Sequence, residues 1–197
     1  QIFADLGKMT RDDCILGTNT SSLSIKAIAQ ASGRPENVIG MHFFNPVPIM
    51  KLLELVKHDS CSEQTIAFAK AAGATMGKTT ILVKDIPGFA TSRLGVVLGN
   101  EAIRMLADGV ASAKDIDTAM VLGYKHPMGP LALSDLVGLD VRRDILLNLK
   151  QGLPRVVLHS VMVAIGTLVV VVVCVCVCLS VCLVHIISCS HILRMLF

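Results

Sequence analysis

Near the start of the chain, three polar clusters hold residue types that proton and hydride chemistry needs: Gly17-Thr-Asn-Thr-Ser-Ser22, Gly40-Met-His-Phe-Phe-Asn-Pro-Val-Pro48 and Lys51-Leu-Leu-Glu54. Imidazole has an unperturbed pKa of ~6.5, which suits His42 to act as a base near neutral pH. Glu54 follows 12 residues later and could fold back to orient that ring and stabilise the imidazolium it becomes. The amides of Asn19 and Asn45 and the hydroxyl of Ser21 could hold substrate oxygens. Such a group suits alcohol oxidation, in which a hydroxyl proton leaves as hydride leaves the same carbon. Taken singly, each residue also has a plainer role. A histidine after a strand is often a structural hydrogen-bonding residue, Asn45-Pro46 is an ordinary turn initiator, Ser21-Ser22 an ordinary cap, and Glu54 could be an exposed edge residue.

The elements that must position these groups read as alternating strands and helices. Ile15–Gly17, Val38–Met41, Leu52–Val56 and Thr80–Val83 are brief apolar runs flanked by polar or turn residues, the pattern of strands. Ser24 can cap a helix over Ile25–Ala31, and Ser60 with Glu63 forms an S-x-x-E capping box opening a helix to Met76. Strands alternating with helices of this length predict a parallel sheet with its polar clusters at the strand ends, where open α/β sheets hold ligands. After Asp85-Ile-Pro-Gly88 the pattern is helical only. The helix over Phe89–Asp108 presents Leu94, Val97, Leu98, Ala102, Met105 and Leu106 on one face. Ser112 with Asp115 caps the next helix, Pro130 opens another, and Asp140–Leu149 reads as the last. The fold class is therefore α/β first and all-α second.

Charge and cysteine usage divide the chain again. Residues 1–150 hold 16 of the 18 Lys+Arg and all 15 Asp+Glu, a balanced body without the basic patch that nucleic acid requires. Cys14 and Cys61 stand alone in that body, which suggests a reducing compartment. Five further cysteines crowd residues 174–189 without zinc-finger spacing, and although His185 and His191 lie near, no metal site is expected there. Between Arg155 and Arg194 there is no charged residue, so residues 156–193 are long enough for a membrane anchor. Against an anchor, the run is Val-dominated and lacks interfacial aromatics before Phe197. Val173-Cys-Val-Cys-Val-Cys178 is also what a repeated GT dinucleotide gives when translated, so the tail over 151–197 is expected to be foreign to the fold. Gln1–Gly7 shows no signal peptide, and the chain is expected to begin inside a longer protein.

Jointly the clusters resemble the 3-hydroxyacyl-CoA dehydrogenase family. The resemblance rests on five motifs in order: N-T-S-S at Asn19–Ser22, H-F-F-N-P at His42–Pro46, K-L-L-E at Lys51–Glu54, D-x-P-G-F at Asp85–Phe89 and G-Y-x-x-P-M-G-P at Gly123–Pro130. It implies the C-terminal half of a Rossmann-type NAD-binding domain over 1–86, followed by a helical, dimerising domain over 87–150. It further implies that His42 is the catalytic base and Glu54 its partner in oxidising (S)-3-hydroxyacyl-CoA with NAD. Ser21, Asn45 and Ser92 would contact the substrate, and Asn19, Ser21 and Asn45 the cofactor. A homodimer and a soluble location are implied too, in the mitochondrial matrix or the bacterial cytoplasm, unless the tail anchors the chain.

The departures set limits. No G-x-G-x-x-G loop is present to hold a dinucleotide pyrophosphate, so the chain alone is expected to be inactive. Ser92 stands where many members have Asn, and a non-catalytic relative of the lens-crystallin kind remains an alternative. His58 and His126 match no catalytic motif and are expected to be structural.

Overall fold

In the computed structural model, which describes residues 1–21 and 23–153, four short strands make one sheet. They are β1 (Leu16–Thr18), β2 (Val38–Phe43), β3 (Leu52–Lys57) and β4 (Thr79–Lys84), hydrogen-bonded in that order. α1 (Ile2–Met9) and α2 (Ile25–Ala31) flank β1, and α3 (Glu63–Thr75) connects β3 to β4. The helical part follows as α4 (Thr91–Ala107), α5 (Ala113–Thr118), α6 (Pro130–Val137) and α7 (Leu139–Gly152). Of the tail over 151–197 only residues 151–153 are described, where α7 runs on to Gly152; the expectation that the rest is foreign lies outside the described residues.

Two of the three strand pairings are parallel, as expected, but β2 and β3 are antiparallel. The chain between them, residues 44–51, contains no helix and is too short for the crossover that a parallel pair needs. The sheet is therefore mixed. Leu53, Leu55 and Ile39 are fully buried beneath Ile66 and Ala69 of α3. Each such side chain contributes roughly 1.5–3 kcal/mol of hydrophobic stabilisation. Gly40 makes the close approach to β3 possible, because a Cβ there would lie 2.7 Å from Val56 Cβ.

Two local expectations are corrected, and one helix is added. The residue that caps α3 is Ser62, whose hydroxyl accepts from Thr65 N at 3.1 Å. Ser60 lies in a turn closed by Cys61 N donating to His58 O, so the helix starts two residues later than an S-x-x-E reading places it. On α4 the buried residues are Val96, Gly99, Asn100, Ala102 and Ile103, while Leu94 and Val97 are exposed. This helix has apolar residues on more than one face, and the face that turns inward packs on Ile116, Leu131, Leu146 and Leu149. The helix α1 was not anticipated; its Phe3 and Leu6 pack on the cluster of Leu16, Ala29 and Val38.

The other capping expectations hold. Ser24 accepts from Ala27 N, Ser112 accepts from Asp115 N, and Pro130 occupies the first turn of α6. His58 is buried, with Nε2 donating to Val38 O and Nδ1 accepting from Ser60 N, a structural role. Replacing Ser62 by Ala is expected to cost about 1 kcal/mol of unfolding free energy. Ser60→Ala, at an exposed position, should change stability by no more than about 0.5 kcal/mol. Urea denaturation of both variants measures the contrast, and the reverse order would put the cap back at Ser60.

Candidate active site

The antiparallel pairing of β2 with β3 decides the centre of the site. Its register sets His42 directly opposite Glu54, and directly opposed residues share one face of a sheet. Nδ1 of His42 lies 2.9 Å from Glu54 Oε2. The histidine is 7% exposed and the glutamate not at all. A carboxylate can only accept, so Nδ1 carries the proton and Nε2 keeps the lone pair that can take another. The ring is held on its other sides by Phe44, 4.6 Å away between centroids, and by Phe89, edge-on at 5.8 Å.

A buried carboxylate must be hydrogen-bonded to be tolerated. Glu54 meets that demand at the start of α4. Its Oε1 accepts from Ala90 N at 2.9 Å and Thr91 N at 3.2 Å, and its Oε2 accepts from the Thr91 hydroxyl at 2.8 Å besides His42. The helix has alanine at its N-cap and no side-chain cap of its own. Glu54 supplies the missing acceptor from another element, and the positive end of the helix favours its charge. The turn that aims these amides needs two successive left-handed residues, Gly88 at φ 78° and Phe89 at φ 48°. A non-glycine residue at such a φ costs on the order of 1–3 kcal/mol, offset here by the burial of the Phe89 ring with Ile25 and Val56.

Burial pushes the Glu54 carboxyl upward, but the hydrogen bonds from His42, Ala90 and Thr91 outweigh it and hold the group below its ordinary value of 4.5. A carboxyl lowered on folding stabilises the native state above its unfolded pKa and loses that contribution as pH falls through its folded value.

The other sequence-derived residues are placed less tightly. Asn19 Oδ1 accepts from Phe43 N at 2.8 Å, tying the end of β1 to β2 beside His42. Asn45 is exposed, and its bond to Pro46 is cis. Ser21 is exposed in the loop after β1, and Ser92 is half-buried in the first turn of α4. Among the described residues no hydrogen bond joins Ser21, Asn45 or Ser92 to the His42–Glu54 pair.

The geometry agrees with what comparison finds. Residues 1–86 match the 3-hydroxyacyl-CoA dehydrogenase NAD binding domain, and residues 88–164 match the C-terminal domain of the same enzymes. The chain belongs to the 3-hydroxyacyl-CoA dehydrogenase family. Over 140 residues it is 49% identical to a 3-hydroxybutyryl-CoA dehydrogenase of Clostridioides difficile, covering 71% of this chain and 50% of that protein. Over 145 residues it is 45% identical to the human mitochondrial hydroxyacyl-coenzyme A dehydrogenase, covering 74% and 46%. The crystal structure of (S)-3-hydroxybutyryl-CoA dehydrogenase from Ralstonia eutropha superposes with a TM-score of 0.81 at 37% identity, covering 86% of this chain and 60% of that one. The chain thus spans about half the length of the curated relatives it matches. The second family match runs to residue 164, past Lys150, where the motif reading ends the helical domain.

Around Glu54, sequence reasoning missed the Thr91 hydroxyl and the backbone amides of Ala90 and Thr91. The available signal was negative: a helix opening on Ala90 has no Ser, Thr, Asp or Asn cap, so an acceptor had to come from elsewhere. In acid titrations of unfolding, Glu54→Gln should lose the part of the pH dependence that the native protein shows below about pH 4.5. Superimposable acid limbs for the two proteins would contradict the hydrogen-bonded carboxylate.

Proposed function

We propose that this site serves NAD-dependent oxidation of (S)-3-hydroxyacyl-CoA thioesters to 3-oxoacyl-CoA, the third step of fatty-acid β-oxidation. One observation carries the reading: a histidine whose Nδ1 is fixed by a buried carboxylate, leaving Nε2 free to act as base. His42 Nε2 takes the proton of the 3-hydroxyl as its oxygen becomes a carbonyl, and Glu54 stabilises the imidazolium so formed. Ser21, Asn45 and Ser92 would hold the substrate oxygens, with Asn19, Ser21 and Asn45 toward the cofactor. NAD, when bound, supplies the acceptor for the hydride that leaves C3.

The donor set fits the nicotinamide end of that cofactor, because exposed amide and hydroxyl groups at the strand ends can pair with a carboxamide. For the pyrophosphate the 197 residues contain no G-x-G-x-x-G segment. On its own, then, the chain is proposed to form no NADH, since its sequence has no such glycine loop to hold a dinucleotide.

The helical residues are proposed to form a homodimer seam. Support comes from Leu94, 71% exposed, and Val97, 41% exposed, which lie outside the α4 core contacts. A soluble setting is proposed, mitochondrial in a eukaryote and cytoplasmic in a bacterium; the human and pig relatives are named as mitochondrial. No helix among the described residues is long and apolar enough to cross a membrane, and the 156–193 run behind the anchored alternative lies outside them.

A chimera tests the chemistry. When the aligned segment replaces its counterpart in the Clostridioides difficile relative, (S)-3-hydroxybutyryl-CoA should reduce NAD. His42→Asn in that chimera should lower kcat by about 10²–10⁴-fold, the usual contribution of a positioned base. A folded chimera without turnover would overturn the proposed activity. For the assembly, Leu94→Glu with Val97→Glu should convert a dimer to a monomer in sedimentation, and an unchanged mass would rule out this seam.

A further inference from the structure

Thr91 belongs to none of the motifs that single out the site, yet its side chain reaches the carboxylate at its centre. The hydroxyl donates to Glu54 Oε2 at 2.8 Å, and the same oxygen lies 2.9 Å from His42 Nδ1. The backbone N–H of the same residue donates to Oε1. Thr91 therefore holds both carboxylate oxygens, one through its main chain and one through its side chain. The remaining contacts come from Ala90 N and from His42.

We propose that Thr91 is a positioning residue for the His42–Glu54 pair, fixing the rotation of the Glu54 carboxylate so that the oxygen facing β2 stays on Nδ1. A carboxylate gripped at one oxygen only can turn about its terminal torsion, which is broad and roughly two-fold. With both oxygens held, the imidazole is kept in one tautomer and one orientation. Because Thr91 is the first residue of α4, the grip also ties the alignment of the base to the seating of the helical part against the sheet. Among the described residues, His42 is the one ionisable side chain hydrogen-bonded to Glu54.

That the positioned pair is catalytic rests on the dehydrogenase reading; that Thr91 holds the carboxylate does not. The test therefore has two arms. In the full chain, carbon-13 titration of the glutamate carboxyls should place Glu54 roughly one unit higher in Thr91→Val than in the native protein, since one donor to a charged group is lost. Thr91→Ala should give the same rise without the added methyl, and Thr91→Ser should restore the native midpoint. In the Clostridioides difficile chimera, Thr91→Val should lower kcat about tenfold with KM little changed, and Thr91→Ser should recover it. An unshifted Glu54 midpoint in both Val and Ala variants, or a Ser variant that behaves like Val, overturns the proposal. A native chimera without turnover beside a shifted midpoint counts against the dehydrogenase reading and leaves the grip on Glu54 supported.

Discussion

The structure turns on one carboxylate. Glu54 is wholly removed from solvent, and a buried charge is costly unless hydrogen bonds replace its water. Its partners are three residues: a histidine on the neighbouring strand, Ala90 just past a left-handed turn, and Thr91 at the start of a long helix. Each is constrained by the others. The register of β2 against β3 must set position 42 opposite 54, and the turn at Gly88-Phe89 must adopt two positive φ angles. α4 must also begin where its amides reach the sheet. A change at any of these points exposes the charge or leaves it unpaired, so the His42–Glu54 geometry and the junction between the two structural classes are the same interaction.

The device recurs. Asp85 accepts from Lys26 N at 2.8 Å and from the Ser24 hydroxyl at 3.0 Å, fastening the start of α2 to the end of β4. Asp117 of α5 accepts from Leu131 N and Ala132 N at 2.8 and 2.9 Å, capping α6, whose own N-cap is Gly129. At each of these helix ends, amides that lack an intrahelical partner meet a carboxylate from a distant element. These links do the work of local caps while also fixing how elements pack. The two aromatic walls of the site follow the same economy, since Phe89 both fills the space beside Ile25 and Val56 and lies edge-on to the imidazole.

Much of this was legible in the chain because the relevant signals are local. Strand and helix placement followed from apolar runs and from Ser24, Ser112 and Pro130, whose effects act within one turn. The same logic misplaced the α3 cap, because Ser60 and Ser62 offer the same chemistry two residues apart and only the His58–Cys61 turn distinguishes them. The inward face of α4 was misjudged for a similar reason. Its apolar residues occupy more than one stripe, and the stripe that is buried depends on where α6 and α7 lie.

By itself the sequence determined the family and the order α/β then all-α, and it singled out His42 and Glu54 as a candidate pair, since these rest on residue types and spacing along the chain. Tertiary structure decided how His42 and Glu54 meet. The linker over residues 44–51 is too short for a crossover, so β3 runs antiparallel to β2 and the 12-residue separation closes into a cross-strand pair. It also decided that Ala90 and Thr91 complete the carboxylate. A helix start without a cap shows only that an acceptor is needed; which distant oxygen fills the need is settled by packing, where the cost of a buried charge selects the arrangement that satisfies it.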